Sequence, residues 1–217
     1  MPIAQHTKTI AKPGPGRPKS QKKREAILDA AKRLFLQAGF DGTSVDQIAT
    51  EAGVSKLTVY SHFKDKDALF ITAIEEHCRK QVPDALFAPP KRAPIERALR
   101  EIGRRFHDLL ASDDSIALHR MLIADVRNAE RLGPAFWAAS GARILASLDT
   151  FLQAAVARDE LEIEDCREAA SQFVSLLKGE IMLFMLCGAS GCRHGSDVDA
   201  HVEAVVRMFL RAYQSRR

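Results

Sequence analysis

Between Ser55 and Lys66 the chain reads SKLTVYSHFKDK, a short run crowded with hydrogen-bond donors on stems of different length. Lys56 can donate to guanine O6 and N7, Thr58 can bond a base or a phosphate, and Leu57 can touch a thymine methyl. Tyr60 and His62 offer donors to phosphate oxygens without long flexible stems. Lys66 falls at the start of a following helix, where free N–H groups and the helix dipole already favour an anion. Thr43 and Ser44, a little upstream, can hold a phosphate on the same side. Together this is the chemistry of reading a duplex, not of making or breaking a bond.

Nothing in the chain competes as catalytic machinery. There is no Gly-x-Ser-x-Gly elbow, His-Glu-x-x-His pair, P-loop or Gly-x-Gly-x-x-Gly after a strand. His107 and Asp108 are sequence neighbours, so a helix points them in different directions. The nearest approach to a metal cluster, Cys187, Cys192 and His194, lacks a fourth ligand and a recognisable spacing. The expectation is a non-enzyme with no cofactor and no metal. Four scattered cysteines without a Cys-x-x-Cys pair, in a chain of 217 residues, suit the reducing cytoplasm.

The donors need a frame, and the frame is helical, because apolar positions recur at spacings of three and four throughout. A first helix is predicted from an N-cap at Ser20 to Ala38, burying Ile27, Ala30, Ala31, Leu34 and Phe35, with Gly39 ending it. Ser44 and Gln47 read as a capping box opening a second, short helix that Gly53 stops. Ser55 caps a third over 56–62, and Asp65 a fourth reaching Lys80. Two helices this short survive only when packed on another. With the first helix they make a helix-turn-helix unit, whose second short helix enters the major groove. Val54, Val59 and Phe63 then face inward and the donors outward.

Pro83 and APPKRAP (88–94) mark a linker-like break. Beyond it, helices are predicted over about 94–110, 113–128, 134–158, 165–187 and 197–213. Charge divides the same way: residues 1–66 hold twelve Lys/Arg against six acids, whereas the whole chain is only +4. A basic front part suits a polyanion and a slightly acidic back part does not. Residues 1–19 read as a flexible basic arm, whose Arg17 and Lys19 can follow the minor groove. No apolar run approaches the length of a membrane span, since Lys178 and Glu180 interrupt FVSLLKGEIMLFMLCG (173–188).

GF-DGTSVDQIATEAGVSKLTVYSHFKDKDALF, with AILDAAKRLFLQAG before it, resembles the N-terminal DNA-binding region of the TetR/AcrR family of bacterial regulators over residues 17–74. Leu57 departs from the small residue or proline usual at its position. The resemblance implies an all-α protein of about nine helices. Residues 20–66 would form the three-helix DNA-binding domain, and 67–217 a larger helical domain for effector binding and dimerisation. It implies a homodimer on a near-palindromic double-stranded operator and a small hydrophobic effector. For the pairing surface the apolar stripes offer Phe173, Leu177, Ile181 and Phe184 on one helix and Val202, Val205 and Phe209 on the last. For a cavity, the large or adaptable side chains on inner helices are Phe106, His119, Met121, Trp137, Arg143 and Met182. A helical adaptor binding proteins through 165–213 is the rival reading, and it leaves the basic arm and the exposed Tyr60 and His62 without a purpose.

Overall fold

The computed structural model describes residues 17–88, 94–124, 126–188 and 198–215, with backbone alone at 17–19, 181 and 185. The elements are α1 (Arg17–Ala38), α2 (Val45–Glu51), α3 (Lys56–His62), α4 (Lys66–Gln81), α5 (Ile95–Ala111), α6 (Asp113–Ala124), α7 (Val126–Trp137), α8 (Arg143–Val156), α9 (Cys166–Lys178), α10 (Ile181–Cys187) and α11 (Val198–Tyr213). A 3₁₀ turn, Asp84–Phe87, follows α4, and a π turn, Ala138–Ala142, joins α7 to α8. The fold is all-α, and among the described residues there is no strand beyond an isolated bridge of Leu161 to Gln214.

The N-terminal unit is built by its caps and its aromatic core. Ser44 Oγ accepts from Gln47 N at 3.2 Å while Gln47 Oε1 accepts from Ser44 N at 2.7 Å, closing the box that starts α2. Ser55 Oγ and Asp65 Oδ1 accept from Thr58 N and Ala68 N at the starts of α3 and α4. At seven residues each, α2 and α3 take their stability from packing rather than propensity. Ile48 and Val59 are buried with Ile27, Ala30, Ala31 and Phe35 of α1, and each of the Ile, Val and Phe side chains contributes roughly 1.5–3 kcal/mol. Phe35, Phe40 and Phe70 meet with ring centroids 5.2–5.6 Å apart, which ties α4 to the same core. Gly53 turns the chain between α2 and α3 at φ +65°, a conformation that a Cβ would strain.

Three sequence expectations need correction. α1 begins at Arg17, not after Ser20, because Pro18 is tolerated in a first helical turn. Residues 17–19 are therefore helix rather than arm, and 1–16 lie outside the described residues. The gap expected between the helices over 113–128 and 134–158 is absent: α7 runs from Val126 through Pro134 to Trp137, and the π turn follows it directly. The single helix expected over 165–187 divides at Gly179 into α9 and α10.

α5, α8, α9 and α11 form the centre of the larger part, where Leu99, Leu148, Phe151, Phe173 and Phe209 are almost wholly buried. Arg100 pairs with Glu203, and Arg104 with Asp199, both at 2.6 Å, fastening α5 to α11. α4 is the element shared by the two halves. Its Leu69 and Phe70 lie in the N-terminal core, and its Ile74, His77 and Cys78 face the larger helical part.

Candidate functional site

The outer face of α3 is what its sequence suggested. Val59 is 1% exposed and Phe63 5%, so the helix is anchored, yet Leu57 is 80% exposed and Tyr60 46%. Ser44, Lys56 and Ser61 are exposed beside them, with Thr58 and His62 half-buried. Lys56 Nζ lies 2.8 Å from Asp46 Oδ2, and this hydrogen bond raises the ammonium pKa. The pair orients Lys56 along the exposed face, and releasing an exposed ion pair costs little. Ser55 Oγ and Thr58 Oγ1 are 2.9 Å apart, so Thr58 is shared between a capping role and an outward one.

Thr43 and Lys66 are placed otherwise. Thr43 is 1% exposed, and its hydroxyl donates toward Gly39 O at 2.8 Å and Leu34 O at 3.1 Å, satisfying carbonyls at the end of α1. Lys66 Nζ donates to Phe40 O at 2.9 Å and Thr43 O at 3.0 Å, with the ammonium 4.2 Å from the Phe40 ring centroid. Burial lowers its pKa, partly offset by Asp41. Both residues hold the turn between α1 and α2: the Thr43 hydroxyl is buried there, and the half-buried Lys66 ammonium commits two of its three N–H donors to it. The physical reason is that α1 ends in a tight turn whose carbonyls have no helical partners. Arg17 and Lys19 lie in the first turn of α1, and their side chains are outside the described residues.

Polar contacts cross from this unit to the larger part. Arg131 Nη1 reaches both carboxylate oxygens of Asp67, at 2.6 and 2.8 Å, and its guanidinium stands 4.8 Å from the Phe40 ring centroid. Asn128 Nδ2 donates to Asp41 Oδ2 at 2.8 Å, and Lys32 pairs with Asp114. Sequence reading missed Asp41, Asp67, Asn128 and Arg131, since a pairing between segments about sixty to ninety residues apart leaves no local pattern.

Behind the inner half of α4 lies a cavity of about 80 Å³. Phe106, His119, Trp137 and Met182 line it, as do Ile74, His77, Leu118, Phe136, Ile144 and Lys178. Met121 and Arg143 do not. Met121 packs partly buried against the core, and Arg143 donates to Asp84 Oδ1 at 2.5 Å and Val82 O at 3.0 Å, closing the end of α4. His119 Nδ1 lies 2.6 Å from Ser115 O, a carbonyl that can only accept, so Nδ1 carries the proton. Burial lowers the pKa of His119, and the nearby Lys178 charge acts in the same direction. Burial likewise lowers His77, whose Nε2 is 3.3 Å from Ser115 Oγ. Both imidazoles are therefore neutral near pH 7. Trp137, 49% exposed, stacks over Gly141 so closely that a Cβ there would lie 2.2 Å from its ring. Among the described residues no cluster of three or more His, Cys, Asp or Glu could hold a metal ion, and Cys192 and His194 lie outside them.

Of the residues expected to pair two protomers, Phe173, Leu177, Val202, Val205 and Phe209 are buried inside one protomer. Phe173 and Phe209 meet each other at 5.0 Å between centroids. Phe184 is half-buried, and the Ile181 side chain lies outside the described residues. Among the described residues, the large apolar side chains that α9, α10 and α11 leave in water are Leu176, Leu183 and Met208, at 38%, 63% and 57% exposure. The strongest apolar stripe of an amphipathic helix goes to its own core, and the weaker second face is what remains for a partner.

Comparison with known proteins agrees over most of the chain. Residues 27–73 match the family model for bacterial regulatory proteins of the tetR family, and residues 97–215 match that for the C-terminal domain of AefR-like transcriptional repressors. The HTH-type transcriptional regulator RutR of Escherichia coli (strain K12) is 31% identical over 189 residues, which are 87% of this chain and 81% of RutR. A TetR-family transcriptional regulator from Mesorhizobium loti aligns with a TM-score of 0.78 at 29% identity, over 91% of this chain and 100% of that one. The flavonoid-responsive regulator FrrA aligns with a TM-score of 0.71 at 32% identity, with the same coverage of each chain.

Proposed function

The chain belongs to the TetR family of transcriptional regulators and is a DNA-binding protein rather than an enzyme; from that premise we propose a homodimeric, ligand-responsive repressor of a near-palindromic operator. The observation that carries the reading is the outward face of α3, where Lys56, Leu57 and Tyr60 stand clear beside the half-buried Thr58 on a helix anchored by Val59 and Phe63. Lys56 and Leu57 read base edges, while Ser44, Tyr60 and His62 hold phosphates. Arg17 and Lys19, at the head of α1, reach the backbone or minor groove beside the same site. Leu176, Leu183 and Met208 form the seam between protomers and set two α3 helices in successive major grooves, about 34–36 Å apart. Among the described residues no helix is long and apolar enough to cross a membrane, which suits a cytoplasmic site of action.

Regulation follows from α4. Its N-terminal half moves with α1–α3 because Leu69 and Phe70 are packed there, and its inner half is a wall of the cavity. A molecule that enlarges the cavity displaces Ile74, His77 and Cys78, tilts α4, and changes the spacing of the two α3 helices. The ligand shifts the population by its differential affinity for the wider state, and operator binding must weaken ligand binding by the same factor. The description of FrrA as flavonoid-responsive supports a small-molecule effector here too.

Selection of bound duplexes from a random pool, followed by anisotropy across salt concentrations, tests the assignment. A two-fold related site with steep salt dependence is the expected result. Recovery of no preferred sequence would return the helical adaptor to first place.

A further inference from the structure

Lys178 is treated differently from several cations in and around the larger helical part. Lys32, Arg100, Arg131 and Arg143 each meet a carboxylate, at Asp114, Glu203, Asp67 and Asp84. Lys178 does not, although it is half-buried and lines the cavity. Among the described residues its Nζ stands 5.9 Å from the Trp137 ring centroid, and its charge also acts on His119. α9 ends at Lys178, and the break at Gly179 sets the ammonium between α9 and α10 with Met182 on the next turn. Burial lowers the Lys178 pKa, with no carboxylate acting against it, so the charged form is held at a cost that a bound anion would remove.

Most of the remaining lining is apolar, including Phe106, Leu118, Phe136, Ile144, Leu145 and Val174, and its other polar residues are the uncharged Ser115 and Ser140 with His77 and His119. We propose that the cavity takes an apolar monocarboxylate, with its carboxylate on Lys178 Nζ beside Trp137 and its ring or short acyl body directed inward against Phe106, Leu118 and Ile144. One charge is all the site can match. The inner polar groups, His119 and His77, are neutral, and their Nδ1–H and hydroxyl neighbours leave no second cation for a dianion. An amide or alcohol of the same shape fills the apolar volume yet leaves Lys178 as it was. A cationic molecule would meet Lys178 with repulsion in a poorly screened site. The 80 Å³ available in this state limits the body to roughly a single ring unless Trp137, already half-exposed, swings outward.

This assignment rests on the reading of the larger part as an effector-binding domain, and its test is therefore made without DNA. Trp137 is the single tryptophan of the chain, so its emission reports directly on the cavity mouth. The full-length protein is titrated with 3-phenylpropanoate and octanoate, and with 3-phenylpropanamide and octanamide, by tryptophan emission and by calorimetry. The acids are expected to bind at least about tenfold tighter than the amides, as one charge-assisted hydrogen bond supplies. Lys178→Met, which keeps the apolar stem, should remove the preference while leaving amide binding in place; Lys178→Arg should retain the preference. Equal binding of acid and amide, a preference that persists in Lys178→Met, or no binding of either acid up to about 1 mM would each overturn the proposal. Amide binding in Lys178→Met also shows that the variant's cavity is intact. Acid binding that leaves the operator complex undisturbed would support the site chemistry and count instead against ligand-controlled repression.

Discussion

Lys66→Ala separates two roles that look alike in sequence. Were Lys66 a phosphate ligand, its loss would weaken every duplex and lower the salt slope by about one. The structure places its Nζ on two carbonyl oxygens, Phe40 O and Thr43 O, at 2.9 and 3.0 Å, with the charge over the Phe40 ring. A hydrogen bond to a charged group contributes about 1.5–3 kcal/mol when well buried, and a partly exposed cation–π contact about 0.5–1. Lys66 is only partly buried, and water can reach the vacated carbonyls, so the net loss should be about 2–3 kcal/mol. With a urea m-value near ~3 kcal/mol/M, the midpoint falls by ~0.7–1 M. The assay is urea unfolding followed by far-UV circular dichroism, paired with operator anisotropy at several salt concentrations. The expected outcome is a lower midpoint and an unchanged salt slope. Lys66→Met, which keeps its stem on Phe40, should lose less. An unchanged midpoint with a slope reduced by about one would refute the clamp and restore the phosphate contact.

Lys56→Ala should relax selection at one base pair roughly tenfold in a binding-site selection, leaving the other positions intact. Val59→Ala removes two buried methyl groups at a site 1% exposed, and chemical denaturation should show a loss of about 2 kcal/mol. Leu183→Glu combined with Met208→Glu should give helical monomers by sedimentation equilibrium that bind operator weakly; dimers of undiminished affinity would remove these residues from the seam. Burial lowers the pKa values of His77, His107 and His119, so the unfolded chain takes up protons first as pH falls. Their effect is absent above the unfolded histidine range and destabilising from about pH 6.5 down through the depressed folded values. The urea midpoint should accordingly drop between pH 7.5 and 5.5, and less steeply in His107→Gln. Gly141→Ala must push the Trp137 ring away from the position a Cβ would occupy, and a red-shifted tryptophan emission would show it.

Local patterns were the legible part of this protein. Ser44 with Gln47, Ser55 and Asp65 start their helices where a capping rule places them, because a cap is satisfied within three residues and needs no partner from elsewhere. The exposed face of α3 followed for the same reason: inward Val59 and Phe63 leave their helical neighbours outward. Phe106, His119, Trp137 and Met182 were recoverable as cavity residues from size and inner-helix position, whereas Arg143 was not, since its partners are Asp84 and Val82 some sixty residues away. Lys178 drew notice only as a charge interrupting an apolar run. Its place at a cavity mouth depends on the α9–α10 break and on Trp137 at the end of α7, just before the π turn.

Sequence alone determined that this is an all-helical protein with a DNA-reading unit at its front, because helix periodicity, caps and turn glycines are encoded within a few residues of where they act. Only the tertiary structure decided how individual polar groups are spent. Thr43 and Lys66 carry donors suited to phosphate, but the carbonyls at the end of α1 reach them first. Phe173 and Phe209 form stripes suited to a partner, but each other's ring is nearer. A side chain's chemistry is set by its type, and its partner by which unsatisfied surface the fold brings within a few ångströms.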